Sequence, residues 1–173
     1  MMSRSPGYAL IELLVSIGVT LSLLVVVLLT STTNRRSADV GAIGTTLRVV
    51  IEAVRANWSA QPDYRSVSTA SVLALVPRAY RELGNSFGGS IEITPAAWGD
   101  ETNAAFDISL TQVPREDCVN LVTQLAPQID EIRVTPASGA TVVVKHGLHA
   151  TPAPDLVAAA CGSDRQTLTW RSL

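Results

Sequence analysis

Glu12 is the one charged residue between Arg4 and Arg35, in a stretch that is otherwise almost wholly apolar. Placed centrally in an apolar helix, a carboxylate costs about 2.5 to 3.5 kcal/mol on insertion scales, and less within a turn of the helix start. No Lys or Arg stands three or four residues away. A charge withdrawn from water requires a partner, so this one must come from another chain or from a new N-terminus. Cleavage after Gly7 would free an α-amine at Tyr8, four residues before Glu12. Within one helix that amine points along the axis and reaches the carboxylate poorly. In a stack of staggered identical helices, the amine of one chain meets Glu12 of the next and fixes their register. The plainer reading is a membrane anchor with an interfacial acid.

The other chemistry-bearing residues are few. Cys118 and Cys161 are the only cysteines. An even count behind an apolar N-terminal segment points to an exported domain with one disulfide, against the alternative of two unrelated buried thiols. A bridge over this 43-residue separation is worth about 4 kcal/mol in the chain-entropy model. His146 and His149 have no close Cys or acidic companion, and a metal needs three or four ligands, so no metal site is expected. The acidic pairs Asp100-Glu101 and Asp130-Glu131 lack a Gly-turned loop of alternating acids and read as solvated faces. No nucleophile–base arrangement or phosphate loop is recognisable, so no catalytic residue, enzyme activity or cofactor is expected. The net charge is −2 and no region is strongly basic, so nucleic acid is not an expected partner.

The elements that must position Glu12 begin with the apolar run. From Tyr8 it spans 22 residues, about 33 Å as a helix, against a bilayer core of about 30 Å. Ser16, Thr20 and Ser22 interrupt it with hydroxyls that can bond a carbonyl one turn back. An ordinary signal peptide has a shorter apolar region and a cleavage site behind it; here the candidate site lies in front. A plain single-pass anchor accounts for the length but not for Glu12.

The string Gly7-Tyr8-Ala9-Leu10-Ile11-Glu12-Leu13-Leu14-Val15 resembles the N-terminal signature of type IV prepilins. The resemblance implies that a prepilin peptidase cuts between Gly7 and Tyr8, and that Tyr8 becomes an N-methylated mature terminus. It makes Glu12 the acid that sets assembly register. Arg35 and Arg36 beyond the run argue on charge alone against a cytoplasmic N-terminus; the cytoplasmic-face peptidase of the family sets that orientation instead. The implied partners are further copies of the chain in a helical filament, the peptidase, and an assembly platform, ATPase and secretin. The implied location is the inner membrane before assembly and an extracellular pilus after it.

Behind the run, Val40, Ile43, Leu47, Val50, Val54 and Trp58 recur at spacings of three and four, one stripe of a helix that packs on a head domain. Arg48 and Glu52 are an i,i+4 pair on another face. A helix from Tyr8 to Trp58 has 51 residues and is about 77 Å long, ended by Gln61-Pro62-Asp63. Residues 68–76 predict a short helix with Leu73 and Val76 inward, stopped by Pro77. Residues 85–89 predict a turn. The period then changes to two at Ile91 and Ile93; Phe106, Ile108 and Leu110; Ile132 and Val134; Val142 and Val144; Leu168 and Trp170. These are half-buried antiparallel strands. Residues 114–125 predict a helix carrying Cys118, with Val119, Val122 and Leu125 inward, and residues 151–154 a loop.

The expected fold is therefore α+β, a long N-terminal helix packed on an antiparallel sheet. The expected segments are a leader at 1–7, a transmembrane or filament-core helix at 8–30, its amphipathic continuation at 31–60 and a periplasmic head at 61–173. The glycine pair after Asn85-Ser86-Phe87, Val113-Pro114 before Cys118, and a last strand after Cys161 resemble the head of type IVb pilins. This implies an exposed Cys118–Cys161 segment and a C-terminal strand inserted into the middle of the sheet. The expected function is a structural subunit of a type IVb pilus serving adhesion, aggregation or conjugative contact. The alternatives are a type II secretion pseudopilin or minor pilin and, in a different class, a membrane-anchored periplasmic enzyme or binding protein.

Overall fold

The structure, a computed structural model, describes the backbone of residues 6–80 and 86–173, and within the first helix the side chains of residues 12–25 and 38–58. The chain divides into two compact units, Met1–Asp39 and Val40–Leu173. Helix α1 (Pro6–Trp58, 53 residues) begins in the first unit and opens the second.

In the second unit α1 covers one face of a sheet. Val40, Ile43, Leu47, Val50, Val54 and Trp58 are all buried, as their spacing predicts. Ile51 joins them, because it lies four residues from Leu47 and three from Val54 and so widens the same stripe. Arg48 turns away from the predicted pairing with Glu52. Its guanidinium donates to the carbonyl of Gln124 at 3.3 Å. That carbonyl is at the C-terminal end of helix α3 (Arg115–Leu125), where a cation is favoured. Arg55 donates to the Gln128 carbonyl at 2.9 Å and to Ser172 Oγ at 2.6 Å. The two arginines, two turns apart, thus tie α1 to the head.

Helix α2 (Thr69–Leu75) starts at a capping box in which Ser68 and Ser71 satisfy each other's backbone N–H groups, and Pro77 follows its end. Val72 within α2 and Val76 at its C-cap are buried, while Leu73 is only half-buried; Val76 is inward as expected and Val72 takes the place of Leu73. The turn after it includes Gly88 at φ +80°, a conformation natural only to glycine; Asn85, the first residue of the predicted turn, lies outside the described residues.

The sheet has five strands: β1 (Ile91–Trp98), β2 (Glu101–Pro114), β3 (Glu131–Pro136), β4 (Val142–His146) and β5 (Arg165–Ser172). Their order is β1-β2-β5-β3-β4 and every neighbouring pair is antiparallel. The C-terminal strand lies in the middle, as the resemblance implies. Period-two alternation sends Ile91, Ile93, Phe106, Ile108, Leu110, Ile132, Val134, Val144, Leu168 and Trp170 into one core. In β2 the register shifts between Leu110 and Val113, and Gln112 takes φ +61°. This bulge brings Val113 back to the buried face.

Helix α3 buries Cys118, Leu121, Val122 and Leu125. Val119, expected inward, is 39% exposed, because on this short helix the inward stripe runs through 118, 121, 122 and 125 and leaves 119 about 100° away. Residues 151–154 give way to a helix not anticipated from sequence, α4 (Pro154–Ala160), which starts at a proline suited to that position and buries Val157 and Ala160.

Leu47 lies at the centre of the stripe with no exposed surface. Leu47→Ala should lower the unfolding free energy of the head by about 2 to 5 kcal/mol. Glu52→Ala, on the exposed face, should change it by no more than about 0.5 kcal/mol. Urea unfolding of the full chain in detergent, followed by circular dichroism, checks both.

Candidate assembly site

The first unit presents an apolar helix with no inward side. Leu13, Leu14, Val15, Ile17, Val19, Leu21, Leu23, Leu24 and Val25 are all 46–61% exposed, and together they cover every direction around the axis. A helix apolar on all sides is stable only inside a bilayer or among other helices. The interrupting hydroxyls are satisfied within the helix. Ser16 donates to the Leu13 carbonyl at 2.9 Å, Thr20 to Ile17 at 2.9 Å and Ser22 to Gly18 at 2.8 Å, so they impose no need for water. Among the described residues no helix is long and apolar enough to cross a membrane; the expected span at 8–30 runs beyond the side chains described.

Glu12 is exposed on this helix, directly before Leu13. Gly7 and Tyr8 fall on the first turn of α1, and their side chains lie outside the described residues.

In the head, Cys118 of α3 and Cys161 after α4 form a disulfide, with Cα atoms 5.8 Å apart. Both residues are buried. The bridge fastens the start of α3, which follows β2, to the end of α4, which precedes β5. It therefore holds the two connections flanking the central strand.

The histidines and acidic pairs occupy places the sequence does not disclose. Asp100-Glu101 is exposed at the β1–β2 turn, as read. Asp130 and Glu131 are instead buried, at 7% and 6%, which corrects their reading as a solvated face. Asp130 Oδ2 accepts from the backbone N–H of Leu173 at 3.0 Å. Glu131 pairs with Arg133, and its Oε2 stands 2.7 Å from His146 Nδ1. Neighbouring Asp107 forms a two-pronged pair with Arg171, both contacts 2.7 Å. His146, at the end of β4, is thus part of this network, while His149 is exposed. Among the described residues no group of three or more His, Cys, Asp or Glu is disposed to hold a metal ion.

Burial pushes the Glu131 carboxyl up, but the His146 hydrogen bond and the charges of Arg133 and Arg171 outweigh it and hold the group below the usual glutamate range. Lys145, the only lysine, is buried with its ammonium donating to the carbonyls of Ile129 and Leu148. Desolvation holds it below the usual lysine value despite the attraction of Asp130.

A family model described as PilS N terminal matches residues 30–173. The chain belongs to the PilS N-terminal family. Its fold is similar to that of TcpA, a type IV pilin from Vibrio cholerae El Tor biotype, at 15% identity and a TM-score of 0.64, covering 79% of this chain and 99% of TcpA. It is also similar to the type IV b pilin from Salmonella typhi, at 20% identity and a TM-score of 0.54, covering 75% of this chain and 97% of that pilin. No curated protein matches it in sequence. The chain is a type IV pilin with a IVb-like head, and both family and fold are those of structural pilins. The family match begins behind Gly7, Tyr8 and Glu12.

Two stability predictions follow from the pilin head. Cys161→Ser should lower its unfolding free energy by about 2 to 5 kcal/mol, and non-reducing peptide mapping of the native pilin should recover Cys118 and Cys161 in one linked fragment. For Glu131 the sign is set by a folded-state pKa below the unfolded one. Its contribution is complete above the unfolded value of about 4.3 and is lost as pH falls through the folded value. Glu131→Gln should cost about 1 to 3 kcal/mol at pH 7, and the gap to the native pilin should close as the pH falls below about 4. Denaturant midpoints measured between pH 7 and pH 3 read both effects; a gap that widens on acidification would contradict the assignment.

Proposed function

We propose that this pilin is a repeating structural subunit of a type IVb pilus, polymerised through α1. In this reading the chain is held in the inner membrane with its N-terminus in the cytoplasm. Prepilin peptidase cuts between Gly7 and Tyr8, and Tyr8 is N-methylated. The platform, ATPase and secretin then pass it into an extracellular filament that serves adhesion, aggregation or conjugative contact. The observation that carries the reading is the apolar surface of residues 13–25, exposed on every side of the helix and led by a single acid. Bilayer and filament core satisfy that surface equally well, so transfer from one to the other costs little hydrophobic free energy. What the surface lacks is register, since apolar packing is non-directional. Glu12 supplies it by pairing with the Tyr8 amine of an adjacent copy, where low dielectric leaves the attraction weakly screened.

An anchor gains nothing from Glu12, whereas a subunit depends on it, so substitution separates the two. Glu12→Val and the near-isosteric Glu12→Gln should both be cut to begin at Tyr8 and both reach the membrane. As the only subunit present, each should lower the yield of sheared filaments about tenfold or more, the loss that accompanies a contact of about 1.4 kcal/mol. Filament yield is measured beside total membrane-bound pilin, and the new terminus by mass spectrometry. Native filament yield from both variants would remove Glu12 from the mechanism, and a mature chain still beginning at Met1 would remove the cleavage.

A further inference from the structure

Trp98 and His146 stack in parallel, with ring centroids 5.3 Å apart and planes 9° from parallel. Yet Trp98 ends β1 and His146 ends β4, and these strands are opposite edges of the sheet. Four strand spacings separate them, about 19 Å in a flat sheet. The rings can meet only if the end of the β1–β2 hairpin leaves the sheet and curls back across it. The hydrogen bonds agree. The guanidinium of Arg171, on the central strand, donates to the Ala97 carbonyl at 2.9 Å.

The bend has identifiable causes on both strands. In β1, Pro95 offers no N–H to the ladder, and the register shifts between Ala96 and Trp98. In β2, Asn103 takes φ +59°, and its carbonyl accepts from the Tyr64 N–H at 2.8 Å. β2 pairs with β5 only from Phe106 onward. Within the ladder, residues 96–105 are therefore paired with each other and not with β5.

Beneath the curled segment runs one register of the outer face, Thr94, Asp107, Arg171, Glu131 and His146, one residue from each strand. All four helices send side chains into the core on the inner face. The low side-chain exposures of Asp107, Arg171 and Glu131, at 14%, 14% and 8%, thus coincide with the segment lying over them. The segment itself is held by little apolar burial. Ala97, Gly99, Asp100, Glu101 and Thr102 are exposed.

We propose that residues 97–103 form a strap, bent at Pro95–Ala96 and at Asn103, that closes over the charged register of the outer sheet face and is clasped by the stacking of Trp98 on His146. Opening the strap uncovers Asp107, Arg171 and Glu131 while the inner core stays intact. The head thereby has a closed form that withholds a charged surface and an open form that presents it. The strap stands independently of the filament reading, since it depends only on contacts within one head.

Amide hydrogen exchange on the full chain in detergent tests it. His146 has a 68% exposed side chain, so His146→Ala puts no core packing at risk. His146→Ala and Trp98→Ala should each speed exchange at residues 97–103 about tenfold and leave residues 168–170 of the central strand unchanged. His146→Gln retains a hydrogen-bonding group for Glu131 but no ring, and should open the strap as His146→Ala does. The double variant should exchange no faster than the faster single one, because one clasp is lost in both. Exchange at 97–103 within about twofold of native in both single variants, or equal acceleration along β5, would overturn the strap. A native rate in His146→Gln would overturn the stacking clasp and leave the Glu131 hydrogen bond in its place.

Discussion

An antiparallel sheet with one apolar face must be covered, and in this pilin the cover is the second half of the helix whose first half is apolar all round. That constraint organises the rest of the molecule. From Val40 onward α1 needs only one buried stripe, and its other faces take Thr45, Arg48 and Glu52. From residue 13 to 25 the helix has no continuous polar face, and its apolar side chains are exposed. The change in pattern along one helix marks the change in what surrounds it.

The central strand closes the head around that helix. β5 makes two ladders, with β2 and with β3, and its inward Leu168 and Trp170 are fully or almost fully buried. Its pairing joins residues distant in sequence, so it is entropically the dearest contact of the sheet. The Cys118–Cys161 bridge ties the connection after β2 to the one before β5, which shortens the chain path between these two neighbouring strands. Arg55, reaching from α1 to Ser172 at the end of β5, links the covering helix to the same strand.

What the sequence disclosed was periodicity, and it disclosed it well where the period was sustained. Six of six stripe positions in α1 are buried, and each alternating pair marks a strand. It failed where a segment is too short to show its phase. On the seven-residue α2 and the eleven-residue α3, the inward side was misplaced at Leu73 and Val119. Helix α4 was missed because its seven residues set only Leu156 and Val157, one exposed and one buried, among alanines, too few to show a phase. Asp130-Glu131 was misread for a different reason. Adjacent acids look solvated until strand register puts Arg133, Arg171 and His146 beside Glu131, and register between non-consecutive strands is not written in any local pattern. The meeting of Trp98 with His146 needs both the strand order and the bend at Asn103. The proposed assembly residues differ from these in kind. Gly7, Tyr8 and Glu12 are conspicuous in sequence because a lone acid in an apolar run has so few structural explanations.

The buried ions also bear on how the head keeps a single form. A sheet held by apolar contacts alone tolerates slippage, because hydrophobic burial is non-directional. A slip by one residue in β3 would turn Glu131 toward the core and Ile132 toward solvent. It would also separate Glu131 from His146 and Arg171, its directly opposed neighbours on β4 and β5. Leaving a buried carboxylate unpaired is far more costly than losing one apolar contact. The charged register of the outer face and the apolar layer of the inner face therefore specify the same pairing from opposite sides. The proposed role of Glu12 follows the same logic: in that reading apolar packing along the first unit supplies the attraction and the lone carboxylate chooses the register.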